Sequence, residues 1–529
     1  MENKQQIENG SQVPLLPTFR SQNPPPSGPK ISEVVMEVRQ LYHIALPLII
    51  SSLLTYGKSA ISMCFMGHLG KEALAGGSLA ISFANITGYS VLSGLAMGMD
   101  AISSQACGAK QWSLMGQTLQ RTIIILLVCC LPISLLWLNI KPIFIFVGQD
   151  PSICTVAETY LIFCLPDLLF MALINPLKIY LRSQKVTYPL ILSAAVALSF
   201  HFPINYIMVT YLGLGVRGVA IATWIMDLNI LLVMVVYILV TGTHKKTWQG
   251  WSMECFKGWS IILNLGIPNC ISVCLEWWWY ELMIVMSGLL PNAADAVATM
   301  GILIQATSLI YIFPSSLSLA VSTRVGNELG AGQPAKAKAS SIISLCCAIV
   351  TSILALLFSV TFRNVWGRAF TSDEAIIALT AAAMPILGLC ELGNCPQTTM
   401  CGVLRGSARP KLGANINLGS FYGVGLPVAI VMGFYMKLGL LGLWVGLLAA
   451  QVACSILMAI MLMTTDWAGE AQRAKDLTGG VNIDDDDEDV EKNESIETKK
   501  LIVRDDIEAQ VWDKVDEDVE DKLKCEETK

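Results

Sequence analysis

Twelve apolar segments, each long enough to cross a bilayer, constrain this chain more than any other feature. The hydrocarbon core of a bilayer is about 30 Å thick, so a helix that rises about 1.5 Å per residue needs about 20 apolar residues to span it. The segments cover approximately residues 41–66, 78–103, 121–140, 155–178, 189–212, 218–241, 261–288, 299–322, 340–361, 375–400, 412–436 and 440–465. Charged residues make up 14% of the chain, against about 25% in an ordinary soluble domain. The pattern predicts an all-α membrane protein with twelve transmembrane helices.

The two halves of the chain repeat one another. The repeated motifs are Leu46-Pro47 with Ile267-Pro268, Gly108-Ala109-Lys110-Gln111 with Gly330-Ala331-Gly332-Gln333, and Leu181-Arg182-Ser183 with Leu404-Arg405-Gly406. The offset between the copies is nearly constant and the motifs follow in the same order. Six spans per copy is an even number, so both copies have the same orientation in the membrane. We therefore predict two six-helix lobes related by a pseudo-two-fold axis along the membrane normal, with a cavity between them.

The predicted domains follow from these segments and from the charge distribution. They are a disordered cytosolic N-terminal tail (1–40), an N-lobe with helices 1–6 (41–241), a cytosolic inter-lobe loop (242–260), a C-lobe with helices 7–12 (261–465) and an acidic, disordered cytosolic tail (466–529). The last of these contains 23 acidic and 10 basic residues, so the overall charge of -6 hides a basic membrane body. That distribution does not suggest nucleic-acid binding.

Basic residues in the short loops predict the orientation. With the N-terminus inside, the cytoplasmic loops hold fourteen Lys and Arg and the opposite loops hold six, which places both termini in the cytosol. In the C-terminal tail, Glu497, Leu501 and Ile502 form a pattern similar to an acidic dileucine sorting signal. It would bind sorting adaptors and favours an endomembrane location (vacuole, late endosome or Golgi) over the plasma membrane.

Enzymatic chemistry and metal binding find little support in the sequence. Most of the 16 cysteines lie inside apolar runs, where cysteine packs as a small hydrophobe, and the four histidines lack ligand spacing. We find no phosphate-binding glycine loop and no nucleophile motif. We therefore expect a transporter with no cofactor rather than an enzyme.

One segment carries acidic side chains at membrane depth. Glu276 lies near the middle of the apolar run from Ile261 to about Leu290, and Glu281 follows it on the same segment. A carboxylate at the bilayer centre costs about 2.5–3.5 kcal/mol or more, so it is rare unless it faces a bundle interior or a watery cavity. Loss of hydration disfavours the charged form, which makes Glu276 a candidate proton carrier. The packing alternative is a buried hydrogen bond from Tyr280, one turn away.

Further polar and aromatic residues are candidates for a substrate cavity. They are Glu281, Trp277, Tyr280, Asn85 and Asn205. Glu281 points about 140° away from Glu276 by helical geometry, and its functional and packing roles stay equally open. A tryptophan could bind an organic cation by a cation–π contact, but each candidate could equally pack between helices. The same alternatives apply to Asp167 and Asp227, whereas Asp100 near a helix end is interpreted as structural.

Four stretches of the chain carry a family resemblance: FMGHLGKEALAGGSLA (65–80), GLAMGMDAISSQACGAKQW (94–112), FPSSLSLAVSTRVGNELGAGQPAKAK (313–338) and CGVLRGSARPKLGANINLGSFYGVGLPV (401–428). They resemble the multidrug and toxic compound extrusion (MATE) transporters, in particular their plant branch, the DETOXIFICATION proteins. The resemblance covers about residues 40–467. It implies two six-helix lobes, alternating access driven by a proton or sodium gradient, and organic cations, secondary metabolites, hormones or organic acids as substrates.

The resemblance also implies where ions couple to transport. The plant pattern has a coupling carboxylate in segment 7, which is Glu276 here, and commonly an Asp in segment 10, where this chain has Asn394. Either Glu391, one turn earlier, replaces that acid, or Glu276 works with a neutral partner. Some prokaryotic relatives use an acid in segment 1; this chain has none there and carries Lys58, so no coupling acid is expected in that helix.

Two functions of different classes remain. The first is a monomeric secondary active transporter that exports or sequesters small organic solutes by antiport, coupled to protons rather than sodium. The second is a membrane receptor or scaffold that kept a transporter fold and recruits partners through its acidic tail. Loss of Glu276 would disable the transporter and leave the scaffold intact.

Overall fold

The computed structural model of the protein describes residues 31–146, 148–251 and 253–479. Within these ranges the chain is helical, has no strand, and contains twelve helices long and apolar enough to span a membrane. They are α1 (Ile31–His68), α2 (Lys71–Gly108), α3 (Trp112–Leu138), α4 (Pro151–Ser183), α5 (Tyr188–Tyr211), α6 (Val216–Thr241), α7 (Trp259–Ser287), α8 (Ala293–Gly330), α9 (Pro334–Ala369), α10 (Glu374–Gly406), α11 (Pro410–Tyr435) and α12 (Leu440–Thr464). Each predicted segment corresponds to one of these helices, which confirms the predicted fold class.

The first helix begins earlier than predicted. Residues 31–40, assigned from composition to a disordered tail, form the start of α1. Glu33 lies in the first turn, where a negative charge complements the helix dipole. Glu37 then pairs with Arg324 of α8, with 2.8 Å between Oε2 and Nη2. This contact with the other half of the chain stabilises a polar segment that local composition alone does not mark as helical.

A further helix after the twelve spans, α13 (Trp467–Thr478), corrects the second predicted tail boundary. Asp466 caps it by accepting a hydrogen bond from the backbone N–H of Ala468 at 3.1 Å. Trp467, Ala471 and Ala474 recur on one face of the helix and are buried against the membrane body. The start of the acidic tail is therefore a docked amphipathic helix. The rest of that tail, including the dileucine-like pattern, lies outside the described residues.

The backbone repeats at the positions where the sequence repeats. Three matched pairs, one from each half, adopt left-handed conformations with φ between 57° and 68°. They are Lys110 and Gly332, Lys185 and Ala408, and Gly215 and Gly439. Non-glycine residues adopt this conformation uncommonly, so its recurrence at corresponding points supports two copies of one structural unit.

The lobes meet along an inter-lobe seam, which we define as the contact of α2 with α7 and α8. Glycines bring the backbones close together there. A Cβ atom on Gly98 would lie 2.6 Å from the carbonyl oxygen of Ile262, and one on Gly330 would lie 2.0 Å from that of Gln105. Neither distance leaves room for a side chain, so these glycines are required for close helix packing.

One face of the molecule carries both ends of the described chain. The start of α1 contacts α8 through Glu37 and Arg324. At the other end, α13 packs on α2, α8 and α9, and Arg473 donates a hydrogen bond to the carbonyl of Ala408, after α10, at 3.0 Å. The seam glycine Gly330 ends α8 on this same face. The two lobes are therefore closed against each other on the side where both chain ends lie.

Candidate functional site

Glu276 lies inside the C-lobe, on α7, with only 8% of its side chain exposed. Its nearest polar influences are the side-chain amide of Gln397 on α10 and the guanidinium of Arg405, which acts on it through space. The hydrogen bond from Tyr280 that would make Glu276 a packing residue is not among those formed by the described residues. The structure thus orients Glu276 towards α10.

Glu391 lies on that same helix and is 1% exposed. The side-chain amide of Asn394 donates a hydrogen bond to Oε2 at 2.9 Å, and the hydroxyl of Thr307 on α8 donates to Oε1 at 3.4 Å. Both oxygens of the carboxyl group therefore have neutral donors. Asn394, at the position where the plant pattern commonly has an acid, holds the neighbouring acid in place.

A series of polar side chains links the two carboxyl groups. The Thr398 hydroxyl lies 3.5 Å from the Asn394 side-chain oxygen and 3.4 Å from that of Gln397, and it can donate to either. Gln397 in turn reaches Glu276. We call Glu276, Gln397, Thr398, Asn394 and Glu391 the C-lobe polar chain. It contains both alternatives left open by the sequence, the substitute acid and the neutral partner.

The electrostatics of the C-lobe polar chain favour a bound positive charge. Among the ion pairs formed by the described residues, none includes Glu276 or Glu391, although the two carboxyl groups are close enough to act on each other. Burying an isolated carboxylate costs several kcal/mol, and a second one nearby adds repulsion. A proton on either group, or a cation beside them, removes most of that cost. The arrangement can therefore bind a proton or a small cation.

The aromatic candidates of α7 face different directions. Trp277 and Trp278 are exposed, whereas Trp279 is fully buried and packs against Phe421 and Tyr422 of α11. Tyr280 is half-buried and close enough to both carboxyl groups of the C-lobe polar chain to interact with them electrostatically. Of the four aromatic residues, Tyr280 is thus the one placed beside the carboxyl groups.

Among the described residues, the remaining candidates form no hydrogen bond or ion pair with the C-lobe polar chain. Asn205 is fully buried and donates to the carbonyl of His201 at 2.9 Å, within its own helix. Asn85 is half-buried and begins a π-helical turn, Asn85–Tyr89, in α2. Glu281 is half-buried on α7. The bonding of Asn205 favours the packing alternative for that residue.

A buried ionic cluster, missed by the sequence reasoning, bridges the lobes around Asp100. This carboxylate is fully buried and lies 2.7 Å from Nη2 of Arg182 and 3.4 Å from Nε of Arg405. The hydroxyl of Ser322 donates to it at 2.8 Å. Asp100 and Arg182 belong to the N-lobe, and Ser322 and Arg405 to the C-lobe. The cluster therefore joins the two halves on the closed face.

The members of the Asp100 cluster are counterparts in the internal repeat. Arg182 and Arg405 occupy the same place in the repeated Leu-Arg motif. Asp100 and Ser322 are 222 positions apart in the chain, which matches the offset between the repeated glycines Gly108 and Gly330. Matched residues from two related lobes come together at the axis that relates them, so this cluster lies at the pseudo-two-fold axis. The repeated motif was the signal in the sequence that could have predicted it.

Comparison with known proteins agrees with the two-lobe architecture. The MatE family model matches residues 47–207 and 268–431, one stretch in each lobe. The chain belongs to the MATE family. Protein DETOXIFICATION 49 of Arabidopsis thaliana is 54% identical over 472 residues, covering 89% of this chain and 94% of that protein. Protein DETOXIFICATION 48 of the same plant is 55% identical, covering 85% of each chain.

Solved MATE structures share the fold. The crystal structure of the eukaryotic MATE transporter AtDTX14 superposes with a TM-score of 0.81 at 31% identity, covering 84% of this chain and 99% of that one. The Vibrio cholerae MATE transporter VcmN, in its bent form, has a TM-score of 0.73 at 15% identity, with coverage of 84% and 99%. The second likeness concerns the fold alone. These MATE relatives are transporters and not enzymes.

Proposed function

We propose that the protein is a secondary active transporter that exports or sequesters small organic solutes by proton-coupled antiport with alternating access. The solutes are organic cations, secondary metabolites or hormones. The observation that carries the proposal is the C-lobe polar chain, in which Glu276 and Glu391 are buried, neither forms an ion pair among the described residues, and Glu391 has only neutral hydrogen-bond donors. Such a site is stable with a proton bound and can exchange that proton for another positive charge.

The hydrogen bonds around Glu391 support a proton as the coupling ion rather than sodium. Hard metal cations are bound by several oxygen atoms. Each oxygen of Glu391 already accepts one hydrogen bond, from Asn394 or from Thr307, so this carboxyl group can supply only a small part of the oxygen shell that a metal ion needs. A proton needs only one free lone pair on one oxygen.

Competition for one site would couple the proton to the substrate. A cationic substrate beside Glu276 would stabilise the charged carboxylate and displace the proton, and a proton would by the same coupling weaken substrate binding. Closure of the lobes on one face, around the Asp100 cluster, gives one of the two states that alternating access requires. The other state would open this seam.

Transport by the purified protein tests the proposal. In liposomes with an imposed pH gradient, the fluorescent organic cation ethidium should move against the proton flow, and a protonophore should stop it. Protein-free liposomes serve as the control. Movement that follows a sodium gradient at constant pH would overturn the proton coupling. If neither gradient moves ethidium or any solute of a broader panel, the receptor or scaffold alternative replaces the transporter.

Replacement of Glu391 by glutamine should slow proton-driven transport as much as replacement of Glu276, or somewhat less. Glutamine keeps the size of the side chain and one acceptor oxygen for Asn394 and Thr307, but it cannot release a proton. Initial rates of ethidium transport at several pH values measure the effect. A variant with normal rates and a normal pH profile would show that Glu391 is not the substitute acid, and would leave Glu276 with Asn394 as its neutral partner.

The proposed orientation has both termini in the cytosol, with the protein in an endomembrane. Maleimide that cannot cross the membrane should label cysteines placed at Gly10 and Gly480, both outside the described residues, from the cytosolic side. It should label one placed at Asn292 from the opposite side. Among the described residues the exposed native cysteines are Cys64 and Cys346, and these must first be replaced together with Cys525 of the C-terminal tail. Labelling of positions 10 and 480 from opposite sides would contradict the twelve-helix topology.

The oligomeric state and the sorting partners of the protein are also matters of proposal. We propose that the protein works as a monomer, because one hydrophobic core spans both lobes, a second lies within the C-lobe, and the two lobes complete the seam within one chain. Sorting adaptors would bind Glu497, Leu501 and Ile502, which lie outside the described residues. Replacement of Leu501 and Ile502 by alanine should then redirect the protein to the plasma membrane, as visible by fluorescence microscopy.

A further inference from the structure

A second cluster of buried charged groups lies inside the N-lobe, at the contact of α1, α2, α4 and α6. Lys58 of α1 forms an ion pair with Asp227 of α6, with 2.5 Å between Nζ and Oδ2. The hydroxyl of Tyr89, in the π-helical turn of α2, donates to Oδ2 of Asp167 on α4 at 2.5 Å. Asp167 is fully buried and Asp227 is 2% exposed. None of these residues contributes to the C-lobe polar chain.

The two aspartates belong to one cluster, because Lys58, which pairs with Asp227, also interacts with Asp167, and each carboxyl group acts on the other. The second oxygen of Asp167, Oδ1, is buried and accepts no hydrogen bond from any donor among the described residues. Two ionised carboxylates repel each other and have no hydrogen to share, whereas a carboxyl group can donate to a carboxylate. The geometry therefore fits one proton held between Asp167 and Asp227.

The charges of this cluster balance when that proton is present. Lys58 neutralises one carboxylate, and the shared proton neutralises the other. Without the proton, Lys58, Asp167 and Asp227 together carry one net negative charge, which Lys178 offsets only through space, because among the described residues it forms no ion pair with either aspartate. The other titratable groups that face the cluster are Lys178, Tyr160 and Cys164 on α4, and His201 on α5. The half-buried Lys178 is the second cation that acts on Asp227.

We propose that Asp167 and Asp227 form a proton-binding site of the N-lobe, distinct from the C-lobe polar chain, with Lys58 as its fixed countercharge. The pair takes up and releases one proton as the lobes change conformation, so each lobe holds an exchangeable proton. The role in the transport cycle rests on the proposed antiport, but proton binding by the pair does not. The absence of an acid from the first apolar segment is thereby explained, because α1 supplies the cation and α4 and α6 supply the acids.

Infrared spectroscopy of the full-length protein in lipid tests the proposal without any substrate. The variant used for all measurements carries both Glu276→Gln and Glu391→Gln, so that neither side chain of the C-lobe polar chain can titrate. Raising the pH should remove a C=O stretching band of a protonated carboxyl group, and over the same pH range the protein should release one proton more than a variant that lacks the site. Adding Asp167→Asn should abolish both signals. Glu158→Gln, on the same helix but partly exposed beside Lys141, is the matched control and should preserve both signals.

Tyr89→Phe keeps the proposal testable if Asp167→Asn does not fold. It removes the hydrogen bond to Asp167 and should shift the frequency of the band without removing it. The proposal fails if the band is missing, if it persists unchanged at every pH, or if neither Asp167→Asn nor Tyr89→Phe alters it. A normal band together with full transport by Glu276→Gln would instead refute the proposed C-lobe coupling and leave this N-lobe site in place.

Discussion

Replacement of Glu276 by glutamine should reduce proton-driven transport to the level of protein-free liposomes while the protein still folds. Glutamine has the shape of glutamate and can occupy the same buried place beside Gln397, but it cannot bind and release a proton. A site that is permanently neutral cannot couple the proton gradient to substrate, because its affinity for a cation no longer depends on protonation. Initial rates of ethidium movement in liposomes, under an imposed pH gradient, measure the loss.

The matched control is Glu281→Gln, which removes a carboxyl group from the same helix. Glu281 points about 140° away from Glu276 and is only half-buried, so its variant should retain transport. Thermal unfolding in detergent should give similar midpoints for both variants and the parent protein. Normal, pH-dependent transport by Glu276→Gln would remove this residue from the mechanism and shift attention to Glu391 or to the N-lobe pair.

The sequence predicted the membrane fold well because its strongest signals are local. A span needs about 20 apolar residues, and that length is visible without knowledge of the contacts. The wrong predictions concerned the boundaries of the two tails, where helix formation depends on contacts with residues far away in the sequence. Residues 31–40 are helical, and Glu37 pairs with Arg324, which lies 287 positions further along the chain. The helix α13 is docked through buried Trp467 and the Arg409–Glu470 ion pair.

The two acids of the candidate site and Asn394 were predicted, whereas its other neutral residues were missed. Glu276 was selected because acids are rare at membrane depth, and Glu391 and Asn394 were selected from the resemblance to the plant MATE pattern; the structure brings all three into one polar chain. Gln397 and Thr398 were missed, because neutral polar residues are common in membrane helices and carry a weaker signal. The spacing of Glu391, Asn394 and Thr398, at i, i+3 and i+7, places them on one helix face and could have indicated the cluster.

Asp100 shows a different limit of sequence reasoning. Its position near a helix end suggested interfacial solvation, and its structural role was inferred on that basis. The structure shows Asp100 fully buried. Arg182 and Arg405, which were counted among the basic residues of the cytoplasmic loops, are instead buried helix residues that pair with it. The structural interpretation therefore stands for another reason: the residue joins the two lobes at their symmetry axis.

Replacement of Asp100 by asparagine should destabilise the closed seam more than any other single change in the network around it. Asparagine fits the space and can still accept from Ser322, but it leaves two buried guanidinium groups without a counter-ion. Removal of one partner from a buried ion pair costs about 3–5 kcal/mol. We expect a lower midpoint of thermal unfolding and a seam that opens more often. A cysteine at Ser104, which faces Gly326 across the seam, should become reactive to maleimide.

A second substitution separates lost charge balance from a simple packing defect. Arg405→Gln, added to Asp100→Asn, returns the cluster to the net charge of the parent, because one acid and one base are removed together. It should recover part of the lost thermal stability and protect the cysteine at Ser104 again, measured in a background without Cys64 and Cys346. If the double variant is no more stable than Asp100→Asn and its cysteine at position 104 is no better protected, unpaired charge is not the cause of the destabilisation. If Asp100→Asn alone leaves stability and labelling unchanged, the cluster does not hold the lobes together.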